Sequence, residues 1–266
     1  MIRLEDVSVA FSGLQALCPT SLEFRRGEFA VLLGASGAGK STLLRCLNLL
    51  NRPRTGKVVT ADLGDLGNPQ SLHEHRKRTA FIFQQHQLIG HNTALANVLV
   101  GRLGYHPTWR TLLPLPRAER QIALESLARV DLLHKALERV DRLSGGQQQR
   151  VGIARALAQS PRLVLADEPV ASLDPATADK VLALLRRICD EDRITSVVSL
   201  HQLEFARTYA DRVVGLAHGR VVFDGPPSEL TDAALSAIYS GALATATTEH
   251  SSASLPVPLT YATAED

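Results

Sequence analysis

Gly34-Ala35-Ser36-Gly37-Ala38-Gly39-Lys40-Ser41-Thr42 follows the pattern of a glycine, four residues, then Gly-Lys-Ser/Thr. The apolar run Phe29-Ala30-Val31-Leu32-Leu33 precedes it. Ser41-Thr42-Leu43-Leu44-Arg45-Cys46-Leu47 follows with helical character. Strand, glycine-rich loop and helix together make the context of a phosphate-binding loop. Glycines let the backbone turn tightly and gather several N–H groups on one anion. The helix that follows adds unpaired N–H groups and the positive end of its dipole. In such a loop Lys40 reaches the β- and γ-phosphates, and the Ser41 hydroxyl binds Mg²⁺.

On the N-terminal side, residues 2–10 alternate apolar and polar, which predicts a half-exposed strand. Residues 20–26 predict a second strand, and Gly27-Glu28 turns the chain into the strand before the loop. Phe11 lies in the connection between the first two strands, where an aromatic either packs or stacks on a purine. On the other side, Pro53 and Gly56 are expected to end the loop's helix, and Val58-Val59 to begin another short strand. Residues 61–78 are polar and end in His75-Arg76-Lys77-Arg78, which reads as a solvated face. Thr79-Ala80-Phe81-Ile82-Phe83 is a buried-type strand followed by Gln84-Gln85. A glutamine there sits at a strand's carboxyl end, where ligand sites gather in open α/β sheets.

Strand signals stop from about 91 to 142. Residues 93–102 and 117–130 show helical spacing, and a Pro-, Trp- and Gly-containing loop separates them. This predicts a helical subdomain inserted into an α/β core. Leu143-Ser144-Gly145-Gly146-Gln147 then opens a helix over 148–158, stopped by Ser160-Pro161. Two glycines before a helix start are either a second anion cradle or part of a Ser-capped start. The apolar strand 162–166 ends in Asp167-Glu168-Pro169. Asp167 can hold Mg²⁺, and Glu168, on the other side of the strand, can polarise a water. Asp174 and Pro175 suit the N-cap and first position of a helix over 176–189. A strand over 195–200 ends at His201, and 213–216 and 221–223 form a hairpin around His218-Gly219-Arg220. Two short helices at 227–239 close the fold. Residues 243–266, rich in Ala, Thr, Ser and Pro, are expected to form a flexible tail.

A net charge of +2 on 266 residues implies no strongly basic face, and no nucleic-acid partner is expected. Cys18, Cys46 and Cys189 lack metal-ligand spacing and suit reduced thiols. No apolar run approaches the roughly 20 residues that span a bilayer. Met1-Ile2-Arg3-Leu4-Glu5-Asp6 carries acids where a secretory signal is apolar. Any link to a membrane is therefore expected to run through a partner.

Taken in order, these stretches resemble the nucleotide-binding subunit of ATP-binding cassette (ABC) transporters, from about residue 2 to 240. The loop alone says only NTPase. The pentapeptide 143–147, about twenty residues before a strand ending in Asp-Glu, narrows it. The resemblance implies an α/β P-loop NTPase fold with three parts. An ABC-type ATPase core spans 1–90 and 143–242, with an N-terminal antiparallel β subdomain. A helical subdomain spans 91–142, and the tail is 243–266. It implies that ATP contacts Gly34 through Thr42 of the loop, Phe11 on the adenine, and Ser144, Gly145, Gly146, Gln147 and Asp174. It implies that Glu168, His201 and Gln84 are catalytic, and that Ser41, Gln84 and Asp167 hold Mg²⁺. It implies a homodimer with each ATP between the loop of one copy and residues 143–147 of the other. Integral-membrane permease subunits and, indirectly, an extracytoplasmic solute-binding protein complete the set. The subunit then sits peripherally on the cytoplasmic face of the bacterial inner membrane.

Within the family, stretches 81–88, 197–202, 210–216 and 222–227 look like the ATPase of phosphonate importers, and phosphite and phosphate-ester importers share much of this. Leu200 and Gln202 flank His201 where most members carry Thr and an acid. Ala35 and Ala38 replace the proline or serine of many relatives without removing a phosphate-binding N–H. An importer ATPase for another solute stays open, because selectivity lies in other subunits. A non-transport ABC ATPase acting on DNA or ribosomes usually has two cassettes or a long coiled coil. A P-loop kinase would leave 143–147 without a role.

Overall fold

The alternation at the start of the chain becomes strand β1 (Ile2–Phe11), with Ile2, Leu4, Val7 and Val9 buried. The structure is a computed structural model that describes residues 1–84, 87–109 and 113–239. β1 pairs antiparallel with β2 (Leu14–Phe24), which starts six residues earlier than the sequence suggests. Only Ser12 and Gly13 separate the two strands, both at positive φ (48° and 86°), the geometry of a tight hairpin turn. Phe11 is therefore the last residue of β1 and not part of a loop.

The buried strand β3 (Phe29–Leu33) leads through the glycine-rich loop into helix α1 (Lys40–Leu47). Pro53 and Gly56 do not end α1. It stops at Leu47, where Asn48 caps it and Leu49 takes a left-handed φ of 46°. Strands β4 (Thr55–Thr60) and β5 (Gly64–Asp65) complete a four-stranded antiparallel sheet in the order β2-β1-β4-β5. The basic run 75–78 is not simply a solvated face. It closes helix α2 (Pro69–Lys77), and His75 is buried with Nε2 3.0 Å from the Leu47 carbonyl. Arg76 donates to the carbonyls of Asn48 and Leu49 at 3.2 and 2.9 Å. Carbonyls at a helix C-terminus lack intrahelical partners and carry the negative end of the dipole, so basic side chains satisfy them.

After β6 (Thr79–Ile82) come helices α3 (Ala94–Leu99), α4 (Arg117–Arg129) and α5 (Gly145–Ala158). A 3₁₀ turn over Val100–Tyr105 extends α3. The chain then alternates through β7 (Leu163–Asp167), α6 (Pro175–Asp192), β8 (Thr195–Ser199) and α7 (Leu203–Tyr209). α7 has no sequence forecast. It is seven residues long and buries one of them, Ala206, too little for a periodic signal. β9 (Arg212–Ala217) and β10 (Arg220–Gly225) form the expected hairpin. Residues 232–239 are helical, and the expected tail at 243–266 lies outside the described residues.

The second sheet has the order β10-β9-β3-β8-β7-β6 and is parallel except for β10. Strands buried on both faces read as unbroken apolar runs, which is why β3 and β7 were legible. Successive residues of β3 enter different cores. Phe29, Val31 and Leu33 pack with α3–α6, while Ala30 and Leu32 pack with α1 and the antiparallel sheet. Cys46 and Cys189 are buried, which pushes their thiols up to about 12 and about 11. Neither is reactive at neutral pH.

One ion pair ties the helical layer together. Arg102 is buried, donates through Nε to Glu119 Oε2 at 2.5 Å and gives another hydrogen bond to the Ala158 carbonyl at 2.8 Å. Burial acts to raise the Glu119 pKa, but hydrogen bonds from Arg102 and His106 outweigh it and hold it below the ordinary 4.5. Arg102→Met should leave the half-buried Glu119 carboxylate with His106 as its remaining partner and the Ala158 carbonyl without its donor, lowering stability by about 1–3 kcal/mol in urea titration. A depressed carboxylate pKa stabilises the fold above its unfolded value and loses that effect as pH falls through the folded one. The wild-type chain should therefore lose this increment below about pH 4.5, and the variant should show a flatter acid limb.

Candidate functional site

The loop 34–39 hangs between β3 and α1 and is pressed from two sides. A Cβ on Gly34 would stand 2.4 Å from the Leu216 carbonyl oxygen. One on Gly39, the left-handed N-cap of α1 (φ 105°), would stand 2.8 Å from that of Ala16. Only glycine fits such approaches. Gly219, at the turn of the β9–β10 hairpin, donates its N–H to the Ala38 carbonyl at 3.0 Å. Ala16 belongs to the same hairpin as Phe11, which is half-exposed at its tip. The antiparallel sheet thus touches the loop through Ala16 of β2, in the hairpin that also carries Phe11.

Lys40 is buried, and its ammonium donates to the Gly34 and Ala35 carbonyls at 2.8 and 3.0 Å. Burial lowers its pKa, while the charges of Glu168 and Asp167 pull the other way. A cation removed from water beside two loop carbonyls has much to gain from a polyanion.

β3, β8 and β7 are neighbours, and their register aligns Leu32 with Ser199 and Ser199 with Asp167. Their carboxyl ends therefore meet beside the loop. Ser41 Oγ donates to Asp167 Oδ1 at 2.7 Å, and Ser199 Oγ donates to the same oxygen at 3.0 Å. Ser199 Oγ also accepts from the Glu168 N–H at 2.9 Å. Arg45 lies 3.5 Å from Asp167 Oδ2. Glu168 stands just past β7 at a left-handed φ of 49°, uncommon for a residue with a side chain. His201 Nε2 is 2.5 Å from Glu168 Oε1. Tyr239 Oη donates to the His201 carbonyl at 3.2 Å. Leu200 is buried in the helical-side core, and its N–H bonds the Leu32 carbonyl at 3.0 Å. That holds the backbone before His201 without a threonine hydroxyl.

Sequence reading does not single out Ser199, Arg45 or Tyr239. Ser199 had one usable signal, a serine ending an apolar strand beside an Asp-Glu strand. The Tyr239 contact joins residues 38 apart in the chain and had none.

Gln84 follows β6 by two residues, next to the end of β7, because Ile82 pairs with Ala166. It is exposed and, among the described residues, no hydrogen bond joins it to Ser41 or Asp167. Ser41 and Asp167 already bring two hard oxygens into contact, which fits a cation such as Mg²⁺ that favours oxygen ligands. Among the described residues no group of three or more His, Cys, Asp or Glu could enclose a metal. A cation here would therefore take its remaining ligands from water and phosphate, as Mg²⁺ commonly does.

The pentapeptide forms a second group. Ser144 N-caps α5 in a capping box, accepting from the Gln147 N–H at 3.4 Å while Gln147 Oε1 accepts from the Ser144 N–H at 3.1 Å. The helix therefore starts at Gly145, three residues before the expected 148. A Cβ on Gly146 would meet Thr177 Cγ2 at 2.5 Å, so the starts of α5 and α6 lie together. Asp174 caps α6 by accepting from the Thr177 N–H at 3.0 Å, and hydrogen bonds from Thr177 hold its carboxyl below the ordinary value. The sites thus divide into residues 34–42 with Asp167, Glu168 and His201, and residues 144–147 with Asp174. Among the described residues no hydrogen bond joins the two groups.

With this geometry in view, a family model described as ABC transporter matches residues 17–171. The chain is 65% identical over 242 residues to the phosphite import ATP-binding protein PxtA of Stutzerimonas stutzeri, covering 91% of this chain and 88% of that one. It is 59% identical over 243 residues to the phosphonates import ATP-binding protein PhnC 3 of Nostoc sp., covering 91% and 93%. Its fold is similar to a dimeric ATP-binding cassette in a post-hydrolysis state bound to ADP and Pi. That likeness has a TM-score of 0.73 and 34% identity, covering 85% of this chain and 99% of that one.

Ser199→Ala should leave the Glu168 N–H unpaired and remove one donor from Asp167. Ser199 is fully buried, so the expected loss is about 1–3 kcal/mol of unfolding free energy. Denaturant titration of the two chains side by side checks this.

Proposed function

Since this chain belongs to the ABC transporter family, we propose that it is the ATP-hydrolysing subunit of an importer for phosphonates, or for the related phosphite and phosphate esters. The observation that carries the catalytic part is the meeting of Ser41, Asp167, Glu168 and His201 around Ser199, directly beside the loop. The solute class rests on relatives named for phosphite and phosphonate import, at 65% and 59% identity over nearly the whole of each.

In this reading the loop N–H groups and Lys40 hold the triphosphate, and Phe11 stacks on the adenine. Ser41, Asp167 and Gln84 hold Mg²⁺, which would supply positive charge against the β- and γ-phosphate oxygens. Glu168 accepts a proton from water as its oxygen forms a bond to the γ-phosphorus. The bond from that phosphorus to the bridging oxygen breaks, and ADP leaves with the electron pair. Without nucleotide His201 Nε2 bonds Glu168 and fixes the carboxylate's direction; with ATP bound the same nitrogen offers its N–H to the γ-phosphate. No reaction can be completed by the loop group alone if residues 144–147 and Asp174 also touch nucleotide. The proposed unit is a homodimer, in which the second copy supplies Ser144, Gly145, Gly146 and Gln147. Two helix starts and an ammonium then face one dense anion from opposite sides.

No helix among the described residues is long and apolar enough to cross a membrane. Transport would require permease subunits. A cleft of about 750 Å³, lined by Gln84, Gln87, Leu88, Asp141 and Gln148 among others, runs from the carboxyl end of β6 to the helical layer. Exposed Val100, Tyr105 and Trp109 lie in that layer. This is the proposed seat of the permease, on the cytoplasmic face of the inner membrane. The solute itself is selected by an extracytoplasmic binding protein that acts through the permease.

Reconstitution with a phosphonate permease should stimulate ATP hydrolysis when a loaded binding protein is present. Stimulation only by an amino-acid or metal permease would overturn the solute class. Glu168→Gln should lower turnover by about 10²- to 10⁴-fold yet leave ATP bound and the dimer closed. Wild-type turnover in that variant would remove Glu168 from its role. Ser144→Arg should leave ATP binding by the isolated chain intact and abolish ATP-driven dimerisation in light scattering.

A further inference from the structure

A second cavity, of about 330 Å³, lies at the opposite end of the parallel sheet. It opens among the amino ends of β3, β8, β7 and β6 and the last residue of β4. Ligands of open α/β sheets usually sit at carboxyl ends, and the nucleotide residues here do so. This cavity shares none of them.

Its wall carries one arginine at the entry to each of four adjacent strands. Arg26 precedes β3, Arg193 precedes β8, Arg162 precedes β7 and Arg78 precedes β6. Neighbouring strands are about 4.8 Å apart, so the four entries span roughly 14 Å. Two carboxylates also line the space, and both are taken. Asp62 lies 3.3 Å from Arg162 and 3.8 Å from Arg78. Asp192 pairs with Arg129. Among the described residues, the guanidinium groups of Arg26 and Arg193 have neither ion pair nor hydrogen bond. Thr60, His75, Thr79 and Thr195 are all more than nine-tenths buried and add polar groups to the lining. Leu63, Leu163 and Ile194 add an apolar side.

Arg26 and Arg193 are exposed at the rim of the cavity. Water screens like charges there, and an anion seated between two unpaired guanidinium groups still lowers their mutual repulsion. Their planar forks match the oxygens of a phosphorus oxyanion in pairs. The apolar side leaves room for a short organic group. We propose that this cavity binds a small phosphorus oxyanion: a phosphonate, a phosphate ester or inorganic phosphate. That an anion binds follows from the cavity alone; the choice of phosphorus over carboxylate rests on the importer reading.

The full chain is titrated calorimetrically with methylphosphonate, inorganic phosphate and malonate, with no permease present. Methylphosphonate or phosphate should bind, and the Arg26→Ala/Arg193→Ala variant should weaken binding at least about tenfold. Neither arginine has a partner to lose, so the variant should melt with the wild-type chain. Lys40→Ala, which alters the phosphate-binding loop, should leave this affinity unchanged. Stronger binding of methylphosphonate than of phosphate identifies an organic phosphonate as the preferred source; the reverse identifies free phosphate. Malonate binding as tightly as either overturns the phosphorus assignment. Loss of binding in Lys40→Ala alone, or no binding at tens of millimolar, overturns the site. Since no permease enters the titration, its failure is distinct from failure of the transport reading.

Discussion

The Ser199 hydroxyl joins the ends of two strands at one buried point. It donates to Asp167 and accepts from the Glu168 N–H, while Asp167 also accepts from Ser41 at the first turn of α1. Four residues from three parts of the chain are therefore held by a few short hydrogen bonds, with Ser199 and Asp167 buried and Ser41 and Glu168 at the edge of solvent. This works only if β3, β8 and β7 keep their register. In a strand, a slip of one residue sends every side chain to the opposite face. Such a slip would turn Asp167 away from Ser41 and empty both cores together.

The same sheet explains why the loop can be so rich in glycine without being loose. Its backbone lies against carbonyls of β2 and β9, too close for any side chain at Gly34 or Gly39. The β9–β10 turn adds a hydrogen bond to Ala38. β2 of the antiparallel sheet and the β9–β10 hairpin of the parallel one therefore do more than cover the core. They brace the loop from two sides, so that its backbone is positioned before any anion arrives. Preorganisation of this kind reduces the ordering cost of binding.

Charge is distributed with equal economy. Basic side chains at the end of α2 cover the carbonyl end of α1, and Arg102 holds the helical layer through Glu119. Lys40 is buried, and among the described residues no carboxylate pairs directly with it. In the proposed dimer it would meet the triphosphate together with the start of α5 from the other copy. The arginines at the amino ends of the strands form a separate basic surface, turned away from that seam.

The local pattern of residues determined much of this. The loop, its flanking strand and helix, the Asp-Glu strand end, the Ser144 and Asp174 caps and the β9–β10 hairpin are short-range features. Each depends on neighbours within a few positions, where glycine geometry, capping and apolar periodicity act. The loop, the Asp167-Glu168 pair and the two caps were visible in that way, while Phe11, Gln84 and His201 were singled out only by the resemblance to the family. Only the tertiary structure decided that Ser199, Arg45 and Tyr239 support the site, and that His75 and Arg76 finish α1 instead of facing solvent. It also set the arginines of four distant segments along one cavity. Those facts arise from strand order and register, which bring together residues far apart in the chain, and no local preference of a residue encodes which distant partner it will meet.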